Sequence, residues 1–200
     1  MEERLTTPQD DLLSALAAGE KQGSLSRDEE LGNALLLLVA GHQTTINLIG
    51  NGTLALIRHP VHWEQLARDA ALIGRATEEI LRYDAPVKRA PRIAVEDMEI
   101  REKTIRKAER VLLVLSAANR DPRQFSAPDT FDITRHPNPH VAFGGGIHHC
   151  LGANLARLEG QEAFRALTQR FSPFRVGTER LVYQTLLSLR GLKPLWVSWY

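Results

Sequence analysis

The reactive side chains of this chain are concentrated in one stretch, Phe143-Gly-Gly-Gly-Ile-His-His-Cys150-Leu-Gly152, which holds the only cysteine among 200 residues. Three consecutive glycines permit φ > 0 and let backbone N–H groups fold toward a sulfur. An amphipathic run follows from Leu151 to Phe171, and the first turn of such a helix offers its positive dipole end to the residues before it. Both effects favour a thiolate over a thiol. A thiolate so presented could be a nucleophile, a metal ligand or the axial ligand of a haem iron. The blander readings are a buried small hydrophobe, half of a zinc site with His148 and His149, or a Cys-His nucleophile pair. A structural zinc site needs further Cys or His at short spacing, and only His136 and His140 lie near.

The elements that must position this cysteine follow from periodicity and punctuation. Residues 1–25 hold one short helix, with Leu12, Leu13, Leu16 and Ala17 on one face and Gly19 to Gly23 as its polar exit. Ser26-Arg-Asp-Glu29 is a capping box and Pro60 a stop, bracketing one helix of roughly 30 residues, about 45–50 Å long. From Leu31 to Ile57 it has no Asp, Glu, Lys or Arg, so a membrane span must be weighed. Asn33, His42, Gln43, Thr44, Thr45, Asn47, Asn51, Thr53 and the glycines from Gly32 to Gly52 are an expensive set in hydrocarbon, and a helix buried all round inside protein is expected instead. Pro60 to Tyr83 reads as two helices broken near Ile73-Gly74, the second carrying Glu79 and Arg82 at i, i+3. Short strands are expected at Arg92–Val95, Met98–Ile100 and Val111–Leu115, then an irregular stretch from Ala117 to His140. The helix after Cys150 should turn Leu151, Leu155, Leu158, Ala163 and Leu167 inward. Phe174–Val176, Val182–Tyr183 and Leu195–Val197 read as terminal strands.

Composition bounds the rest. A hydrophobic content of 43% over this length suits one domain with its own core. A net charge of +1, with 25 basic and 24 acidic residues interspersed, leaves no electrostatic footprint of a nucleic-acid binder. A single cysteine excludes an internal disulfide and suits a reducing, cytoplasmic setting. The opening Met-Glu-Glu-Arg-Leu is acidic where a signal peptide is basic and then apolar, so no export is expected.

The cysteine stretch resembles the ligand loop of the cytochrome P450 family, pattern F-G-x-G-x-H-x-C-x-G, at Phe143, Gly144, Gly146, His148, Cys150 and Gly152. The resemblance implies haem b held by the Cys150 thiolate, which pushes electron density onto iron to favour O–O cleavage. Ala40-Gly41-His42-Gln43-Thr44-Thr45 is similar to the family's oxygen-binding A-G-x-[D/E]-T-T. This implies that Gly41 permits close approach to haem and that Thr44 steers protons, with Gln43 in place of an ionisable acid. Glu79 and Arg82 match E-x-x-R, the ion network that props up the cysteine loop. The family's third member is absent, because Pro128-Asp-Thr130-Phe131 lacks the arginine, and Arg135 is the candidate substitute. Arg92 and His148 match the partners of the two haem propionates.

The resemblance implies a mainly α fold with small β-sheets, a truncated cytochrome P450 fold of the bacterial, soluble type. Residues 1–200 would form a single haem-binding domain corresponding to the C-terminal half of a family member. The implied reaction inserts one oxygen atom from O₂, or from peroxide, into a small organic substrate, with electrons from NAD(P)H through ferredoxin and ferredoxin reductase-type donors. With an amide at position 43 and half of the fold absent, weak coupling is expected. The alternative is a non-catalytic haem-binding remnant or assembly module. A long helix with apolar side chains on nearly every face also leads us to expect a symmetric homodimer, or docking onto a separate N-terminal half.

Overall fold

The computed structural model describes residues 2–177 and 180–199. Two compact units are present, one ending at Gln43 and one beginning at Thr44.

In the first unit, α1 (Glu2–Thr6) and α2 (Leu12–Lys21) stand where one helix was expected. Pro8 is the reason for the break, since it bars helical geometry at the residue before it. Asp11 caps α2 by accepting from the Ser14 N–H at 2.8 Å, and Arg4 donates to the same carboxylate at 2.7 Å. The buried face of α2 is Ser14 and Ala17, with Leu16 half-buried, while Leu12 and Leu13 are exposed, contrary to expectation. Helix α3 (Arg27–Arg58) opens with the predicted capping box: the Ser26 N–H donates to Glu29 at 2.8 Å and the Glu29 N–H to Ser26 Oγ at 3.3 Å. Burial along α3 is uneven and not, as expected, all-round, with Glu30 inaccessible near its start. Leu35, Leu36, Leu38 and Val39 are 61–69% exposed, whereas Asn47, Leu48 and the stretch 51–56 are buried. Among the described residues no helix is long and apolar enough to cross a membrane.

The second unit packs the end of α3 against α4 (Pro60–Arg68), α5 (Ile73–Tyr83) and α7 (Ala153–Arg170). Pro60 occupies the first turn of α4, where its missing N–H costs nothing. The break before α5 is a 3₁₀ turn, Ala70–Leu72, set by the Asp69 side chain accepting from the Ala71 N–H at 3.0 Å. Leu48, Leu56, Trp63, Leu66, Ile80 and Phe164 form the centre of the core, and the Trp63 indole donates to the Phe171 carbonyl at 3.2 Å. Gly52 is a contact point of α3: a Cβ there would lie 2.3 Å from Phe164 Cζ and 2.9 Å from Ile80 Cγ2. Any side chain would force the helices apart.

Helix α7 corrects the expected inner face. Leu151, Leu155 and Leu158 are exposed, Ala163 and Leu167 are half-buried, and Ala153, Gly160, Phe164 and Thr168 are buried. Small residues let the backbone of α7 come close to its neighbours, and one aromatic fills the gap, so size rather than leucine content selects the face.

Three two-stranded antiparallel sheets complete the unit. β1 (Ala90–Ile93) pairs with β4 (Arg110–Leu113), with Arg92 opposite Val111. β2 (Met98–Ile100) pairs with β3 (Lys103–Ile105), a strand the sequence reading missed, across a turn in which Arg101 and Glu102 adopt positive φ. Leu115, expected to end a strand, instead begins the short α6 (Leu115–Ala118). β5 (Arg175–Val176) pairs with β6 (Val197–Ser198), while Tyr183 makes only an isolated bridge to Leu192.

Candidate functional site

The site is built from the loop between residue 141 and α7. The Val141 N–H donates to the buried Asn119 side chain at 2.8 Å, and the Gly144 N–H closes a turn onto the Val141 carbonyl at 2.9 Å. Gly144 and Gly146 have φ of +71° and +61°, the left-handed region that glycine enters without strain, while Gly145 is extended. A 3₁₀ turn, Gly146–His148, follows, and the Cys150 N–H returns to the Phe143 carbonyl at 2.9 Å. Cys150 is exposed, flanked by Ile147 at 98% and Leu151 at 93% exposure. Helix α7 starts at Ala153, two residues later than the periodicity implied, with Gly152 as its N-cap.

Beside this loop lies a cavity of about 630 Å³ lined by Pro91, Arg92, Ile93, Val95, Arg110 and His148. The structure therefore brings Arg92 and His148 together, from a strand and from the cysteine loop. Arg110, which faces Ile93 across the sheet, is a second arginine that sequence reading missed. The arrangement is an exposed thiol and apolar shoulders next to a basic pocket. Its guanidinium groups suit an anionic ligand such as a carboxylate. Among the described residues no three His, Cys, Asp or Glu come together as a metal cage.

Under the loop sits a buried ion network. Glu79 and Arg82 are both inaccessible, and Arg82 meets the carboxylate with two parallel bonds of 2.8 Å. Its other N–H groups go to the carbonyls of Asn119 at 2.9 Å, Pro128 at 2.7 Å and Thr130 at 3.0 Å. Arg135 donates to Glu79 at 3.2 and 3.3 Å and also holds the carbonyls of Ser126, Ala127 and Thr130. The side chain of Asn138 and the backbone N–H of Asp132 supply the remaining donors to Glu79, and neither has a signal in sequence spacing.

Ala40, Gly41, Gln43 and Thr44 are all helical within α3. The first three belong to the first unit, and Thr44 opens the second. The neighbouring Thr45 hydroxyl donates to Glu159 on α7 at 2.9 Å, a tie between two helices that no motif announced.

The profile of the family described as Cytochrome P450 matches residues 2–185. The Biotin biosynthesis cytochrome P450 of Bacillus subtilis (strain 168) is 44% identical over 198 residues, covering 99% of this chain and 50% of that protein. The Vitamin D(3) 25-hydroxylase of Pseudonocardia autotrophica is 47% identical over 203 residues, again 99% of this chain and 50% of the relative. Among solved structures, P450BioI in complex with an acyl carrier protein ligated to hexadec-9Z-enoic acid superposes with a TM-score of 0.94 at 45% identity, over 100% of this chain and 51% of that one. The tirandamycin C-bound P450 monooxygenase TamI gives 0.95 at 42% identity, over 100% and 51%. The chain thus spans about half the length of the relatives it matches.

Proposed function

This chain belongs to the cytochrome P450 family, whose members hold haem b through a cysteine thiolate, and on that premise we propose that Cys150 is the axial ligand of a haem-thiolate oxidoreductase. The observation that carries the reading is the exposed sulfur of Cys150, held on a backbone closed by Phe143 and set beside a cavity with Arg92, Arg110 and His148. These residues fit haem b: Ile147 and Leu151 offer apolar surface to a macrocycle, and the cations suit its two carboxylates. When bound, the haem supplies the activation of O₂ or peroxide that transfers one oxygen atom to an organic substrate.

The remaining roles belong to the protein. Phe143, Gly144, Gly146 and Gly152 shape the ligand loop; Arg92 and His148 bind the carboxylates; Glu79, Arg82 and Arg135 keep the ground beneath the loop rigid. By the resemblance, Ala40 and Gly41 would give α3 a small surface against the cofactor, and Thr44 with Gln43 would hold water for proton delivery. An amide at 43 can orient water but cannot itself ionise, so peroxide-driven oxidation is expected to exceed NAD(P)H-driven turnover supplied by ferredoxin-type donors. We place the protein in the cytoplasm, as a single haem-binding domain corresponding to the C-terminal half of its relatives.

The test is spectroscopic. The chain loaded with haem should give the thiolate-type Soret band in its reduced carbonyl complex, and Cys150→Ser should abolish it. An unchanged band in Cys150→Ser would overturn the assignment. A second reading, a haem-binding module without turnover, is favoured by the exposed apolar surface at Leu35, Leu36, Leu38 and Val39. Peroxide-driven oxidation by the isolated chain separates the two.

A further inference from the structure

Glu78 sits beside Glu79 in sequence yet takes no part in the Arg82 network, because adjacent residues of a helix project roughly 100° apart. Its carboxylate receives the Arg157 guanidinium from α7 through two bonds, Nε at 2.7 Å and Nη2 at 3.1 Å. The buried ring of His140 approaches the same carboxylate, with Nε2 at 2.9 Å from Oε2. The Ala142 N–H donates to His140 Nδ1 at 3.2 Å, so the ring is held from both sides, by the backbone at Nδ1 and by Glu78 at Nε2. Burial acts to raise the pKa of Glu78, and the hydrogen bonds from His140 and Arg157 overcome it and hold the pKa at about 2. Arg157 thus faces a permanent anion.

The second face of the guanidinium is equally committed. It lies 4.5 Å from the centroid of the Phe143 ring, and the Phe143 carbonyl is the acceptor for the Cys150 N–H. A flat cation is held edge-on by a carboxylate and face-on by an aromatic ring, an arrangement lysine cannot reproduce. Two contacts lead from Arg157 to the backbone of the cysteine.

We propose that Arg157, oriented by Glu78, is a positioning residue for the Cys150 loop: it clamps the Phe143 ring, and through the Phe143 carbonyl fixes the direction in which the sulfur is presented, while keeping a positive charge one ring away from it. The proposal rests on Cys150 as the haem ligand. A simple brace between α5 and α7 would stabilise the fold alone; a clamp on the ligand loop also governs how long haem is retained and at what potential it is reduced.

The experiment compares the haem-loaded chain with Arg157→Ala, Arg157→Lys and Glu78→Gln in three measurements: the urea midpoint, the rate of haem transfer to excess apomyoglobin, and the midpoint of haem reduction. Arg157→Ala should release haem about tenfold faster and shift reduction to lower potential, because a half-buried cation beside the Phe143 ring is lost. Arg157→Lys keeps the charge but not the planar stack, so it should restore most of the potential while releasing haem nearly as fast as Arg157→Ala. Glu78→Gln should release haem nearly as fast as Arg157→Ala without lowering the reduction potential, because it removes an anion and keeps the cation, and the double variant Glu78→Gln/Arg157→Ala should release haem no faster than Arg157→Ala. If Arg157→Ala fails to load haem, the Lys variant carries the comparison. Wild-type haem transfer and reduction midpoint in variants with a lowered urea midpoint would overturn the proposal and leave a brace only. Failure of the Cys150 reading is distinguishable beforehand, since the unaltered chain would then lack the thiolate-type spectrum.

Discussion

A carboxylate removed from water must be satisfied by protein donors, and Glu79 receives them from Arg82, Arg135, Asn138 and Asp132. Glu79→Ala leaves the inaccessible Arg82 guanidinium without an anion and should cost about 3–5 kcal/mol, a large share of a typical stability of about 5–15. Arg135→Ala removes the longer contacts and leaves the bidentate pair intact, so about 1.5–3 kcal/mol is expected. Urea unfolding of the two variants checks the ranking, and equal losses would contradict it. Arg92 presents a different case. Its recorded bond is to the neighbouring Pro91 carbonyl at 2.8 Å, and it lines the cavity together with His148 and Arg110. Arg92→Ala should shorten haem retention without lowering the urea midpoint of the apo chain; unaltered retention would make it an ordinary strand-end arginine.

At the level of elements, Glu78 predicts a pH signature for the joint between α5 and α7. Its folded pKa of about 2 lies below the ordinary 4.5, so the native state holds the anion more tightly than the unfolded chain does. The stabilisation is therefore complete above pH 4.5 and is lost as pH falls from there toward 2. Urea midpoints measured across that window should fall, and Glu78→Gln should flatten the dependence. The elements themselves were largely legible. The capping box, Pro60 and the absence of charge between Leu31 and Ile57 marked α3, and the spacing of Glu79 and Arg82 marked their shared face. What escaped was decided by packing. The inner face of α7 could not be read from its leucines, because close approach at Gly160 and the fill of Phe164 depend on what stands opposite. Strand β3 is three residues long and carries no alternation strong enough to find. In the candidate site, Cys150 was visible from residue type and spacing, and Arg92 and His148 only through the family resemblance, whereas Arg110, Asn138 and the Glu78–Arg157 pair depend on contacts across 59 to 79 residues, or on a shared cavity.

For the whole molecule, the exposed apolar surface carries a prediction about association. Leu35, Leu36, Leu38 and Val39 are more than 60% exposed, and each such side chain is worth roughly 1.5–3 kcal/mol when fully buried. Four of them together rival the stability of a domain. Light scattering on the haem-loaded chain should therefore find a symmetric dimer of twice the 22.4 kDa chain mass. A stable monomer that also binds little hydrophobic dye would refute this, and a shift to a one-to-one complex on adding a separate N-terminal half of a relative would identify the other way of covering the surface. Asn119, fully buried, joins the ion network to the ligand loop: its carbonyl accepts from Arg82 and its side chain from the Val141 N–H. The loop and the ion network accordingly cannot fray one at a time. The amide of Val141 should exchange its hydrogen with solvent only as often as the ion network itself opens, giving a surface loop the slow exchange of a core helix.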